Sequence, residues 1–186
     1  GTLFGRNTPA GVVKFDSVRP ELKKTEGYAS LSVGTYSTVN AEGALNMPMG
    51  NNSALRISLL NQTRDDWVNN TVPTGLTQEL EGYRDSALRL QWLYEPNKDF
   101  SALANVHARD FSGSARLFRA NIIQPGTNEL VPGFDIKQIS TDGMNESELQ
   151  NYGGSLRLRW NLGNMALYSI TGYEQVNAFS RGDIDG

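Results

Sequence analysis

The chain has 186 residues, of which 38% are hydrophobic and 20% charged, and its formal net charge is −3 at pH 7. This near-neutral balance provides no basic field for nucleic acid, so we expect no nucleic-acid partner. Cysteine is absent, which excludes disulfides, thiolate metal sites and cysteine catalysis. The single histidine, His107, cannot form a multi-histidine metal site by itself, and we expect no metal and no cofactor.

The first thirteen residues, GTLFGRNTPAGVV, predict a tight turn between two buried segments. Gly5 and Gly11 permit backbone angles that residues with a Cβ avoid, and Pro9 restricts the turn between them. An ordinary hairpin of any β-protein is the alternative interpretation. Because the chain opens in the middle of such a motif, we expect it to be a piece of a longer protein.

Alternation with a period of two residues dominates the rest of the chain, as in SALRLQWLY at 86–94. Leu88, Leu90 and Trp92 share one face of this segment, and Arg89 points to the other. In NYGGSLRLRWNL at 151–162, Leu158 lies on the apolar face and Arg157 on the polar one. Successive side chains of a strand point to opposite faces, so the pattern predicts strands with one apolar side. The seven predicted strands are 28–37, 41–47, 54–61, 86–94, 100–110, 151–162 and 166–173.

The predicted connections differ in length. Tight turns rich in Pro, Gly, Asn and Asp occupy 48–52, 95–99 and 162–164. Long polar segments occupy roughly 64–84 and 111–150. Several strands approach ten residues, whereas strands of globular proteins are usually five or six residues long. Long alternating strands, joined by short turns and long loops, are typical of a membrane barrel.

The opening stretch resembles the end of the plug domain in TonB-dependent outer-membrane receptors. Residues 1–5 match that family's Gly-Thr-Leu-Phe/Tyr-Gly run, and residues 6–8 fill its polar turn. Ala10 and Gly11 stand where two glycines are commoner, and Val12 and Val13 begin the apolar strand. The segments SVRPEL, GYASLSVGTYSTVN and SITGYE follow in the family's usual order and support the resemblance.

The resemblance implies an all-β, antiparallel fold: the amino-terminal part of a transmembrane β-barrel, preceded by the last strand of a plug domain. Residues 1–20 would end the plug, and residues 21–186 would form about the first seven barrel strands. The implied function is active uptake of a scarce nutrient, such as a ferric siderophore, through the bacterial outer membrane, with no chemistry on the substrate. The implied partners are a TonB-type energy-coupling protein, outer-membrane lipid and a small-molecule or metal-chelate ligand.

Loops on rigid scaffolds carry function, so we expect ligand contacts from charged or aromatic loop residues, namely Arg64, Trp67, Arg116 and Phe118. Two other classes remain open. A soluble β-sandwich that binds a ligand such as carbohydrate would have equally apolar core faces but shorter strands. A hydrolase on a β-scaffold would need a partnered histidine or a fixed pair of acids. We interpret the RGD tripeptide at 181–183 as part of a solvated loop.

Topology predicts which side each connection occupies. In the family the plug ends at the periplasmic face, so the strand at 28–37 should run outward. Counting reversals places the three tight turns in the periplasm and both long loops outside the cell. Every short turn should then lie at one end and every long loop at the other. Leu90 and Leu158 should face lipid, while Arg89 and Arg157 should face the interior.

Overall fold

A computed structural model of the chain describes residues 16–184. The predicted turn at 1–13 therefore lies outside the described residues, and the proposed division at residue 20 stays a prediction. Every regular element of residues 16–184 is a strand. The strands are β1 (Glu26–Gly34), β2 (Thr38–Pro48), β3 (Ser53–Arg64), β4 (Val68–Asn70), β5 (Glu79–Leu80), β6 (Tyr83–Asn97), β7 (Phe100–Gly113), β8 (Gln138–Ile139), β9 (Glu146–Asn161) and β10 (Ala166–Arg181). Over the same residues, no helix has the length and hydropathy needed to cross a membrane.

Seven long strands form one antiparallel sheet in the order β1-β2-β3-β6-β7-β9-β10. All seven predicted strands are present, and the all-β, antiparallel fold is confirmed. β9 begins at Glu146, before the predicted start at residue 151, and β10 continues to Arg181, beyond the predicted end at residue 173. The long loops accordingly shrink to 65–82 and 114–145. The added strand ends do not continue one apolar face: β9 places Glu148 and Gln150 on the side of Leu156, and β10 places Val176 and Phe179 on opposite sides, while backbone pairing continues.

The first hairpin differs from two predictions: that its first strand extends to residue 37, and that every short turn lies at one end of the sheet. β1 ends at Gly34 and a three-residue connection, 35–37, follows, in which Tyr36 and Ser37 have positive φ angles of 58° and 52°. Two positive φ angles define the type I′ turn that suits a tight hairpin, but neither residue is the Gly, Asn or Asp that usually signals it. The turn lies beside the base of the first long loop, where the Asp65 N–H donates to the Tyr36 carbonyl at 2.9 Å. The expectation that every short turn lies at one end is therefore wrong for this hairpin.

The strand register confirms that Leu90 and Arg89 lie on opposite faces of the sheet, while the contact of either face with lipid stays a prediction. Leu90 pairs with Ile57 and Val106 on one face, and Arg89 pairs with Ser58 and His107 on the other. We call the face of Leu90 the apolar face and that of Arg89 the polar face. Large side chains of the apolar face are open to solvent, including Leu59, which is 57% exposed, and Val106, which is 54% exposed.

Most buried residues of the sheet lie on the polar face near the tight turns, whereas Asp85 is buried at the end with the long loops and Ala102 on the apolar face. Those on the polar face near the tight turns include Asn46, Ala54, Arg56, Gln91, Leu93 and Leu103. The segment at 16–25 meets this face, where Asn46 Oδ1 accepts from the Glu21 N–H and Asn46 Nδ2 donates to the Glu21 carbonyl, at 2.9 Å each. Its Nδ2 also donates to the Lys24 carbonyl at 2.6 Å. A buried amide that is fully bonded in this way positions the incoming chain against the sheet.

Candidate functional site

The two long loops join into one small unit, which we call the cap. β4 from the first loop pairs antiparallel with β5 and parallel with β8 from the second loop. Val68, Leu80 and Ile139 form its buried apolar cluster, one residue from each strand. A parallel pair between segments so distant in sequence needs additional contacts, because each strand has only two or three residues.

Asn70 supplies those contacts. Its Nδ2 donates to the carbonyls of Thr77 and Thr141 at 2.8 and 2.7 Å. Its Oδ1 accepts from the N–H groups of Val72 and Thr141 at 3.1 Å each. The Asn70 side chain thus makes four hydrogen bonds to backbone groups. Its bonds with Thr141 connect the two loops across 71 positions of sequence.

The cap is also tied to the end of β10. The Thr141 hydroxyl donates to the Asp183 carboxylate at 2.6 Å, and the Gly143 N–H approaches the same oxygen at 3.4 Å. Asp183 belongs to the RGD tripeptide that we interpreted as solvated. The structure corrects this interpretation, because the carboxylate is a tie between β10 and the second loop.

A cleft of about 560 Å³ lies where β3, β6 and β7 meet the cap. Its lining is mostly charged or polar and includes Arg64, Asp65, Asp66, Glu79, Arg84 and Asn145. Arg64 is engaged within the protein: its Nε donates to the Glu81 carbonyl at 3.0 Å, and its guanidinium lies 4.9 Å from the centre of the Tyr83 ring. Arg64 therefore braces the base of the first loop while it forms one wall of the cleft.

The other candidate ligand residues occupy different surroundings. Trp67 packs against the apolar cluster of the cap, and its ring centre lies 5.6 Å from that of Tyr36. Arg116 and Phe118 are exposed on the second loop, on either side of Leu117, which packs inward. The structure thus places Arg64 and Trp67 in internal contacts at the first loop and leaves Arg116 and Phe118 available to solvent. Their role in ligand binding stays a prediction.

The polar face carries a network of charges that the sequence did not indicate. Arg109 forms a bidentate ion pair with Asp85, with donor–acceptor distances of 2.9 and 2.7 Å, and Asp85 is only 6% exposed. His107 Nε2 lies 3.0 Å from Glu174 Oε2, and its Nδ1 lies 3.3 Å from Asn105 Nδ2. In the same register row as His107, the Arg89 guanidinium donates to the Ser17 hydroxyl of the segment at 16–25. This face is suited to polar contact with protein or water.

The apolar face is bounded by two belts. At the end with the tight turns, Trp92 stacks on Tyr94 with ring centres 5.7 Å apart, and Phe100 meets Trp160 edge to face at 6.4 Å. At the end with the cap, one register row is polar across five strands: Asn61, Ser86, Asp110, Gln150 and Asn177.

The height of the apolar band follows from β9, where Tyr152 and Trp160 lie within the same strand on the same face. At about 3.4 Å per residue and a tilt of about 40°, their separation corresponds to roughly 21 Å. This is close to the apolar band of about 25 Å found on outer-membrane barrels.

Comparisons with known proteins give one structural likeness. No protein-family model matches the chain, and no curated protein sequence matches it. Among solved structures, the chain is similar to the ferric yersiniabactin uptake receptor FyuA from Yersinia pestis, with a TM-score of 0.66 and 16% sequence identity. The match covers 89% of this chain and 26% of the receptor, so the chain spans about a quarter of its length. The chain therefore has the fold of one part of a β-barrel receptor, with β1 and β10 at the two ends of an open sheet.

Proposed function

We propose that this chain is part of a bacterial outer-membrane receptor that takes up a scarce nutrient, such as a ferric siderophore, by TonB-dependent active transport. The observation that carries the proposal is the match of 89% of the chain to part of a siderophore uptake receptor. The sequence resemblance of residues 1–13 to the end of a plug domain points to the same family, although those residues lie outside the described part of the chain.

The distribution of polarity supports a place in the outer membrane. The face with leucine, valine and tryptophan side chains is exposed, whereas buried polar groups such as Asn46, Asp85 and Gln91 lie on the opposite face. A soluble β-sandwich has the reverse requirement, because its apolar face must pack on a second sheet. The other sheet in residues 16–184 is the small cap, whose apolar cluster is its own.

In this proposal the cap and neighbouring loops face the outside of the cell and receive the ligand, a small molecule or metal chelate. A TonB-type protein in the periplasm supplies the energy for its passage, and lipid surrounds the apolar face. The receptor moves its ligand without chemical change. The surroundings of His107 favour this over hydrolysis, because its ring nitrogens meet Asn105 and Glu174, whereas a serine hydrolase needs a serine hydroxyl there.

The proposal is tested by transport in the bacterium that carries the full-length gene. Uptake of ⁵⁵Fe bound to a panel of siderophores is compared in the parent strain, a strain lacking this gene and a strain lacking the energy-coupling protein. We expect at least one ferric complex whose uptake is lost in both mutant strains and returns with a plasmid copy of the gene. Unchanged uptake of every complex in the gene-deletion strain would contradict iron transport. Recovery of the protein outside the outer-membrane fraction would contradict the receptor class.

A further inference from the structure

The strongest unexplained feature of the molecule is the side chain of Asn145, which lines the cleft beneath the cap. Asn145 is only 6% exposed. Neither its Oδ1 nor its Nδ2 has a hydrogen-bond partner among residues 16–184, although its backbone N–H bonds the Thr77 hydroxyl at 3.2 Å. Buried amides are nearly always bonded, so an unpartnered one at the wall of a cleft needs an explanation.

The rest of the lining restricts what could satisfy this amide. Asp65, Asp66 and Glu79 contribute three carboxylates, and Arg64 and Arg84 contribute two guanidinium groups. Arg64 already bonds Glu81, and Asp66 Oδ1 already accepts the Gly82 N–H at 2.7 Å. An anion would meet the three carboxylates, and a cation would meet the exposed guanidinium of Arg84. A neutral ligand therefore suits the cleft better than either ion.

A carboxamide both donates and accepts, and so does a hydroxyl group. Neighbouring hydroxyls of a sugar could bond Asn145 while also donating to a carboxylate and accepting from a guanidinium. We propose that this cleft is a binding subsite for a neutral saccharide, distinct from the transport of the iron complex. The Asn145 side chain turns about its own single bonds to meet the sugar, which gives its amide the partners it lacks in the free protein.

The test uses the full-length receptor in dodecyldimethylamine oxide, a detergent without a sugar headgroup. Saturation-transfer NMR is recorded with glucose, galactose, mannose and N-acetylglucosamine as probes. We expect transfer from the receptor to at least one of these sugars. Absence of transfer to all four would overturn the proposal.

Two variants identify the site. Asn145→Leu has a similar shape and no polar atoms, so it should weaken binding of the sugar roughly ten-fold or more. Its thermal midpoint should equal or exceed that of the parent, because the amide has no partner to lose. Asp65→Asn, at an exposed cleft carboxylate, should also weaken binding. Asn128→Leu is the matched control on an exposed part of the second loop and should leave binding unchanged. Equal binding by the Asn145→Leu variant and the parent would overturn the assignment.

A second set of measurements distinguishes two sources of the sugar, the glycan of a lipid and a soluble saccharide. The measurement is repeated with the receptor in vesicles with and without lipopolysaccharide. If the natural ligand is the glycan of the outer-leaflet lipid, lipopolysaccharide abolishes transfer to the free sugar, and if it is a soluble saccharide, transfer persists. The siderophore assay is independent of both arms, so loss of iron uptake and loss of sugar binding can be told apart.

Discussion

Glu174 on β10 bonds His107 on β7 across the full width of β9, with 3.1 Å between Glu174 Oε1 and His107 Nε2. The residue of β9 between them in the register row is Gly153. A Cβ at this position would collide with the Glu174 carboxylate and lie 2.6 Å from the Tyr173 carbonyl oxygen. The contact between β7 and β10 therefore depends on residue 153 of β9 being a glycine, without a side chain.

Gly153→Ala should break this contact and push β10 away from β9. We expect a loss of roughly 1–3 kcal/mol in the free energy of unfolding, in the range of overpacked sites. The measurement is a urea titration of the full-length protein in lipid vesicles. Gly172→Ala is the matched control on β10, because its nearest neighbours would be 3.7 Å away. Equal stability of the two variants would reject the role given to Gly153.

The assignment of faces predicts unequal effects of two neighbouring substitutions on β9. Leu156 lies midway between Tyr152 and Trp160 on the apolar face, and Arg157 lies on the polar face. Leu156→Arg should reduce the free energy of unfolding by about 2–4 kcal/mol, the scale for arginine on a lipid-facing surface near mid-membrane. Arg157→Leu should have a much smaller effect. Equal effects in a folding titration into lipid would contradict the register of β9.

The cap should behave as one unit only while Asn70 is present. Asn70→Ala removes four hydrogen bonds between and within the loops, so the β4–β8 pair should open more often. We expect faster hydrogen exchange at the N–H groups of Asn69 and Thr71, which now donate to Lys137 and Ile139 at 2.8 Å each. Asn128→Ala, also in a loop but exposed, should leave both rates unchanged. Unaltered protection in Asn70→Ala would show that the backbone pairs alone hold the loops together.

The four candidate ligand residues should separate into two groups. Arg116→Ala and Phe118→Ala should lower ligand uptake while leaving the thermal midpoint unchanged, because both side chains are exposed. Arg64→Ala and Trp67→Ala should lower the thermal midpoint as well, since the first loses its bonds to Glu81 and the second its packing in the cap. Uptake and stability measured on the same four variants test this division. Full uptake by both Arg116→Ala and Phe118→Ala would remove them from the ligand site.

Local alternation was sufficient to predict the strands and their faces, as Leu90 and Arg89 illustrate, because period two is a property of neighbouring residues. Alternation is insufficient at the ends of β9 and β10, where apolar residues such as Val176 and Phe179 lie on opposite faces, and at the Tyr36–Ser37 turn, which lacks the usual turn residues. The site depended on distant contacts. Nothing near Asn70 in sequence indicates Thr141, and the pairing of Asp85 with Arg109 or of Asn46 with the incoming segment requires the register of the sheet. The charge of Arg64 predicts a ligand contact, yet its contacts are with Glu81 and Tyr83 of the same chain.

The proposed orientation places the cap outside the cell and the tight turns in the periplasm. The chain has no cysteine, so single cysteines can be introduced at Asn128 in the second loop and at Lys98 in the turn between β6 and β7, both exposed. Lys98 is preferred to Asn97 because Asn97 Oδ1 accepts hydrogen bonds from the N–H groups of Asp99 and Phe100 and so stabilises that turn. On whole cells that carry the full-length protein, a membrane-impermeant maleimide should label the Asn128→Cys variant and leave Lys98→Cys unlabelled until the outer membrane is opened. Labelling of Lys98→Cys with protection of Asn128→Cys on intact cells would contradict this orientation.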